Sequence, residues 1–522
     1  MKFIKTLLLF IIAIPCLVFS QEKSVDKLNK KYLNWYNMDL KADKVLGTSV
    51  NKTYDELLKG KQAKKTVVVA VIDGGVDINH EDLKGKIWVN EKEIPGNGID
   101  DDHNGYVDDI NGWNFLGNAA GENINFETME YTRIYKAGAL HPLYLKAEKL
   151  YEKELKERAE EKDILAKFRE RYDDALATIK AKTGLSITKQ EDLNFLSSND
   201  PELSRAYSFL RTLYKNGFTG KDLEDAINRN NDFIDKYLNT EFNPRSLVGD
   251  NPTDINDAHY GNNNVIGPNA NHGTSVAGII AAIRNNNIGI DGIATNVKIM
   301  VLRTVPDGDE RDKDVALAIR YAVENGADII NMSFGKAISP QKSFVDDAIK
   351  LAERKNVLIV HAAGNDGKDI DTDEDFPSDI YLDKSVATNF LSVGASAIKK
   401  SKEIPAIFSN YGANNVDIFA PGVNIISLDT NNMYDMNSGT SEAAPVVTGI
   451  AALLLSYHPE LKPKDLISII TESSRNLRKK KVYIPDLENK KRKKVKFATL
   501  SKSGGIINAY DAMKKAETAK VN

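Results

Sequence analysis

TVVVAVID, residues 66 to 73, is the stretch that most limits what this chain can become. It is a continuous β-branched run, not an alternating one, so a strand built from it needs cover on both faces. VKIMVLRTV (297 to 305) and NVLIVHAAG (356 to 364) are two more of the same kind. Between them, DKDVALAIRYAVENGADIINMSFG (312 to 335) carries Val315, Ile319, Ala322 and Val323 at helical spacing, stops at Gly326, and turns to strand from Ile329 to Met332. A second helix is expected from about Ser343 to Lys355. Strand and helix alternate, which predicts βαβ units and a mostly parallel central sheet, an α/β fold.

Residues 126 to 248 break that rhythm. Ala147, Leu150, Tyr151, Leu155, Ile164, Leu165, Phe168, Tyr172, Ala175, Leu176 and Ile179 recur mostly at three- and four-residue steps, with Lys, Arg and Glu between them. That predicts a long amphipathic helix or hairpin whose charges form a solvated face. Thr188 with Glu191, and Thr219 with Asp222, have the spacing of capping boxes, and Asp200-Pro201 reads as an N-cap followed by proline in the first turn. The segment is therefore expected to be an all-helical module inserted into an α/β protein. The expected division is 1–20, a lead-in at 21–65, a discontinuous domain of 66–125 with 249–520, and the insertion 126–248.

The first twenty residues are expected to lie outside the fold. Lys2 and Lys5 precede an apolar run from Leu7 to Phe19, too short to span a bilayer, which takes roughly 20 residues. This pattern predicts a secretory signal peptide cut after Ser20, hence an exported, secreted or envelope protein. The single cysteine, Cys16, falls inside it, so no disulfide staples the rest. An exported chain without disulfides needs another staple, and calcium is a common one. No later stretch is long and apolar enough to cross a membrane. A net charge of only −4 suggests no nucleic-acid partner. The basic segment NLRKKKVYIPDLENKKRKKVK (476 to 496) is expected as an exposed hairpin.

Four patterns carry chemistry. Asp73 ends a buried strand, where α/β proteins place their sites, although Asp-Gly is also a common turn. His272 precedes a glycine and a helix of small residues, and a lone histidine is often structural. Asn365 follows a buried strand among glycines, as a cleft donor or a plain turn residue. Ser441 opens an apolar helix (Val446 to Leu455), whose free amides and dipole suit an oxyanion, but serine is also a favoured N-cap.

Taken in order with their flanks, these residues resemble the subtilisin-like serine peptidases. The similar blocks are TVVVAVIDGGVD (66 to 77), NHGTSVAGII (271 to 280), INMSFG (330 to 335), VHAAGND (360 to 366), FSNYG (408 to 412), VDIFAPG (416 to 422) and SGTSEAAP (438 to 445). The resemblance implies a three-layer subtilisin-like fold and hydrolysis of protein or peptide substrates. It implies Ser441 as nucleophile, His272 as base, Asp73 as its orienting partner and Asn365 as oxyanion donor. It also implies that Ser333, Phe334 and Gly335 pair with an extended substrate, with Ala362, Ala363 and Gly364 opposite. The alternative reading is a non-catalytic or partner-binding protein on the same scaffold.

NGIDDDHNGYVDDINGWNF (97 to 115) places Asp100, Asp102, Asn104, Tyr106 and Asp108 at alternating positions, with Gly105 for the turn. This resembles the first nine positions of a calcium loop. Asn111 stands where the bidentate glutamate belongs, so the site must be completed from elsewhere, Asp109 being a candidate. Three features depart from the family. Gly74 replaces the usual Thr or Ser after the aspartate, Glu442 replaces the usual methionine after the serine, and Asp73 and His272 lie unusually far apart.

Overall fold

The computed structural model describes residues 25–195, 199–489 and 491–519. The expected signal peptide, with Cys16, lies outside them. The strands are β1 (Val67–Asp73), β2 (Gly112–Asn114), β3 (Val297–Arg303), β4 (Ile329–Met332), β5 (Leu358–Ala362), β6 (Phe390–Ser396), β7 (Ile418–Pro421), β8 (Ile425–Asp429), β9 (Met433–Asn437), β10 (Arg475–Asn476), β11 (Lys481–Tyr483), β12 (Lys494–Lys496) and β13 (Gly505–Ile506). Nine of them form one sheet in the order β10-β13-β7-β6-β5-β4-β1-β3-β2. Every pairing in it is parallel except that of β10 with β13.

The continuous apolar runs follow from cover on both faces. Along β1, Val67, Val69 and Val71 enter one core while Ala70 and Ile72 enter the other. β3 splits the same way, with Val297, Ile299 and Val301 against Met300 and Leu302. The first core takes in the helices Asn271–Ala281 and Thr440–Tyr457, and the second takes in Asp312–Glu324 and Lys342–Arg354. The result is the expected three-layer α/β/α arrangement. Among the described residues, Thr440–Tyr457 is long and apolar enough to cross a membrane, but it is buried in the first core.

The winding reverses around β1, since β3 pairs on one side of it and β4 on the other. In an open parallel sheet, the crevice beyond the strand ends at such a point is where ligands bind. Asp73 is the last residue of β1, Ser333 follows β4, and Asn365 lies three residues past β5. β3 ends earlier than its apolar run suggests. Thr304 and Val305 leave the strand and donate their amides to the Asp73 carbonyl, at 3.0 and 3.2 Å.

The chain divides into two compact units, one being Phe126–Asn243 and the other the segments on either side of it. Arg245 belongs to the larger unit, where Asp250 and Asp314 hold its buried guanidinium. Within the smaller unit, Tyr144–Thr183 is one uninterrupted helix of 40 residues. Its buried positions, among them Leu165, Phe168, Tyr172 and Ile179, meet the helix Pro201–Lys215 through Phe168 on Phe209 and Tyr172 on Tyr214. Thr219 and Asp222 form the expected capping box, and Asp200 caps the next amides as expected. Thr188 differs: its amide and hydroxyl both donate to Asp192, at the start of a 3₁₀ turn, and not to Glu191. The basic segment forms its hairpin, β11 pairing antiparallel with β12.

Candidate active site

Asp73 is buried at the end of β1 and accepts from the Gly74 amide at 2.7 Å. A Cβ on residue 74 would stand 3.1 Å from the Val305 carbonyl oxygen and 3.3 Å from that of Asn269, which crowds any larger residue there. His272 is the second residue of its helix, and its Nδ1 lies 2.9 Å from both carboxylate oxygens of Asp73. The approach requires glycine next door, because a Cβ at Gly273 would meet the Gly75 carbonyl oxygen at 2.1 Å. Thr274 fastens the same turn by accepting from the Asp77 amide at 2.8 Å.

Ser441 is the second residue of the helix Thr440–Tyr457, and Gly439 is the N-cap. The N-cap reading of the serine is therefore overturned. Its hydroxyl donates to the Ser333 carbonyl at 3.0 Å, and the Ser333 hydroxyl donates back to the Ser441 carbonyl at 3.0 Å. Behind this pair Asn331 bridges Ser333 and Thr448, tying the serine helix to β4. The Ser441 hydroxyl thus points to Ser333 and not to His272, as happens in sites that tighten only around substrate. Both residues line one cleft of about 460 Å³, together with Asp73, Ser333, Phe334 and Asn365.

The Asn365 Oδ1 accepts from the Thr440 amide (2.8 Å) and hydroxyl (3.0 Å). That fixes which end of the amide is which and leaves Nδ2 as the donor end. The Ser441 N–H is among the first-turn amides that a helix leaves without an intrahelical partner. Two donors and a helix N-terminus therefore converge on one side of the serine.

A family model described as the subtilase family matches residues 64–498. The chain belongs to the subtilase family. Thermophilic serine proteinase of Bacillus sp. (strain AK1) is 35% identical over 46% of this chain and 49% of its own length. Subtilisin DY of Bacillus licheniformis is 32% identical over 40% of this chain and 71% of its own length. Solved proteases from Pseudoalteromonas arctica are 28% identical over 47% of this chain and 70% of theirs, with a TM-score of 0.38. This subtilase thus spans about half the length of the first relative.

Three side chains of this subtilase, Glu442, His272 and His361, set the electrostatics around the cleft. Glu442 is buried, lines the cleft, and its carboxylate hydrogen-bonds to no other described residue. Burial raises its carboxyl above the usual range, His272 works against that, and Asp73 adds to it. For His272 itself, desolvation in the cleft disfavours the cation, but the Asp73 carboxylate, its hydrogen bond and then Glu442 prevail and push the imidazole up to about 9. The side chain is 46% exposed, so solvent screens part of the influence of both carboxylates. Within β5, His361 is buried and held neutral, its burial depressing it to about 4. Its Nε2 donates to the Phe334 carbonyl at 2.8 Å and so sets the strand beside the nucleophile. A buried histidine within an apolar strand gave no sequence signal of that role.

The two expected substrate walls differ. Among the described residues the Gly335 amide and carbonyl make no hydrogen bond, so an edge beside Ser333 and Phe334 is open for pairing. The opposite segment is not. Ala362 and Ala363 are core residues, and the Ala363 amide donates to the Val393 carbonyl. The Gly364 amide donates to Thr440 Oγ1 and its carbonyl accepts from Asn410. These groups are spent within the protein, so this segment is a wall and not a pairing strand.

In the acidic loop, Asp100 and Asp102 come together, with Glu93 as third member. One oxygen of each lies within 4.8 Å of the others. Asp108 turns away and accepts from the amides of Gly96 and Gly98. Asn104 Oδ1 accepts from the Tyr106 amide, and the Tyr106 ring packs on Trp113 and Tyr321. Asp109 does not complete the group either, since it is held by Asn90, Asn104 and Tyr321. Steps of two along the loop could not have pointed to Glu93, which lies before it.

Proposed function

We propose that this subtilase is an exported serine endopeptidase that cleaves peptide bonds through an acyl-enzyme. The observation that carries the reading is the His272 Nδ1 set 2.9 Å from the Asp73 carboxylate in the cleft that also holds Ser441. Rotation of the Ser441 side chain away from the Ser333 carbonyl brings its hydroxyl to the imidazole. His272 Nε2 takes the proton as Ser441 Oγ attacks the peptide carbonyl, and gives it to the leaving amine. Asp73 keeps the proton on Nδ1 and stabilises the imidazolium. Asn365 Nδ2 and the Ser441 amide donate to the tetrahedral oxyanion. Phe334 and Gly335 pair with an extended peptide, which favours affinity over side-chain choice. Export rests on the signal pattern of residues 1–20, and we read 126–248 as an insertion into the peptidase domain. A fluorophosphonate probe should label the wild type and leave Ser441→Ala unlabelled, and equal absence of label would overturn the reading.

Glu442 should set the acidic limb of activity. Only the neutral imidazole can accept the serine proton, and a carboxylate nearby favours the cation. Activity is then lost at higher pH, as pH falls, than it would be without Glu442. Glu442→Gln should move the acidic limb of kcat/KM to lower pH by on the order of one unit. A limb that stays in place would refute this role.

Calcium is proposed at Glu93, Asp100 and Asp102. Carboxylate oxygens suit a hard divalent cation, and three of them close together repel one another without one. Chelation should then lower stability by about 2.7 kcal/mol relative to calcium at a hundredfold its Kd. Thermal melts with EGTA, with and without added calcium, measure it, and unchanged Tm values would exclude the site.

A further inference from the structure

Asp375 is a carboxylate that this account of the reaction has not used. A Cβ built on Gly335 would stand 3.3 Å from its Oδ2, and one built on Gly364 would stand 3.1 Å from the same atom. The carboxylate therefore lies against both glycine backbones, where the gap between them ends. Gly364 has φ +99°, where glycine is favoured for the backbone alone. Gly335 is not in that region, so its lack of a side chain is not a backbone requirement, and it keeps the gap open.

Both walls of the gap run directly to the nucleophile. Ser333, two residues before Gly335, accepts from the Ser441 hydroxyl. Gly364 donates to Thr440 Oγ1, and Asn365 holds the Thr440 amide. A peptide whose carbonyl lies between Ser441 Oγ and Asn365 Nδ2 would run beside both segments, and so close to Asp375.

The gap is electrostatically one-sided. The Asp375 carboxylate has no ion pair and no hydrogen bond to the side chain of any described residue. Burial raises its carboxyl well above the usual range, and the next two influences, Asp366 and Glu310, are acidic and add to that. Lys368 exerts the one opposing charge, and its ammonium is exposed and directed at Asp366, 3.9 Å away. Burial beside like charges favours the protonated acid, and a cation brought by a ligand would draw it back to the carboxylate.

We propose that Asp375 forms the end of the pocket for the residue whose carbonyl is attacked, and that this subtilase cleaves after lysine and arginine. Either side chain would lay its methylenes along the two glycines and set its charge on the carboxylate. The neutral side chains of similar length, methionine and glutamine, would leave the carboxylate uncompensated, which costs binding.

This inference rests on the reading of Ser441 as nucleophile, and the test separates the two. The purified protein is labelled with a fluorophosphonate and given peptides that differ only at the position before the cleaved bond. Labelling with kcat/KM for Lys and Arg about 100-fold or more above Met and Gln is the expected result. In Asp375→Asn the Lys-to-Met ratio should fall by about the same factor. Labelling with equal or better cleavage after apolar residues would overturn the role of Asp375 and leave the peptidase reading intact. Absence of both label and cleavage would overturn the peptidase reading itself. The wild type decides the matter even if Asp375→Asn does not fold. As a second wild-type measurement, benzamidine should protect Ser441 from label where neutral benzamide does not, and equal protection by the two would count against Asp375.

Discussion

Ser441→Ala should lower kcat by on the order of 10⁶, the size found for the same change in a subtilisin. Adding His272→Ala should cost little more. The reason is that the groups act as one device. His272 has value as a base only if there is a hydroxyl to deprotonate, and the serine hydroxyl is a weak nucleophile without it. What survives is the contribution of Asn365, the Ser441 amide and substrate binding, which do not depend on the nucleophile. Single-turnover rates for the two single variants and the double variant measure this. A double variant slower by the product of the single losses would mean that the residues act independently, and the proposed triad would fall.

Asp73→Asn should lower kcat by about 10⁴ with little change in KM. The Asp73 carboxylate accepts from His272 Nδ1 and from the Gly74 amide. An asparagine of the same shape can present its NH₂ to Nδ1, which puts the proton on Nε2 and leaves no base facing Ser441. The variant also removes the largest influence raising the imidazole, so His272 should titrate well below about 9. Steady-state kinetics and NMR titration of the His272 ring read these separately. Lost turnover with an unmoved titration would point to misfolding of the site and not to loss of the orienting carboxylate.

How far the site was legible depended on how local each signal was. Asp73, His272, Asn365 and Ser441 were recognisable because each sits in a short block whose backbone needs are written in its neighbours. Gly273 lets the histidine helix approach Gly75, and the small residues after Ser441 let its helix be buried. Glu442 was visible as a departure, but its burial and its place in the cleft were not. The acidic loop was read from one-dimensional spacing, which found Asp100 and Asp102 but not their third neighbour. Asp108 was placed with Asp100 and Asp102, whereas the folded loop spends it on Gly96 and Gly98 and brings in Glu93.

The sequence by itself determined the layers. Continuous apolar runs such as 66 to 73 can be satisfied only between two cores, and the helical periods between them supply the covering elements. It also determined which residue types stand ready at the strand and helix ends. Only the tertiary structure decided which of those groups meet. The Ser441 hydroxyl on Ser333, the spent backbone of Ala363 and Gly364, and Asp375 against Gly335 and Gly364 are contacts between distant segments. Their distances are set by how the strands stack side by side, and spacing along the chain carries no record of that.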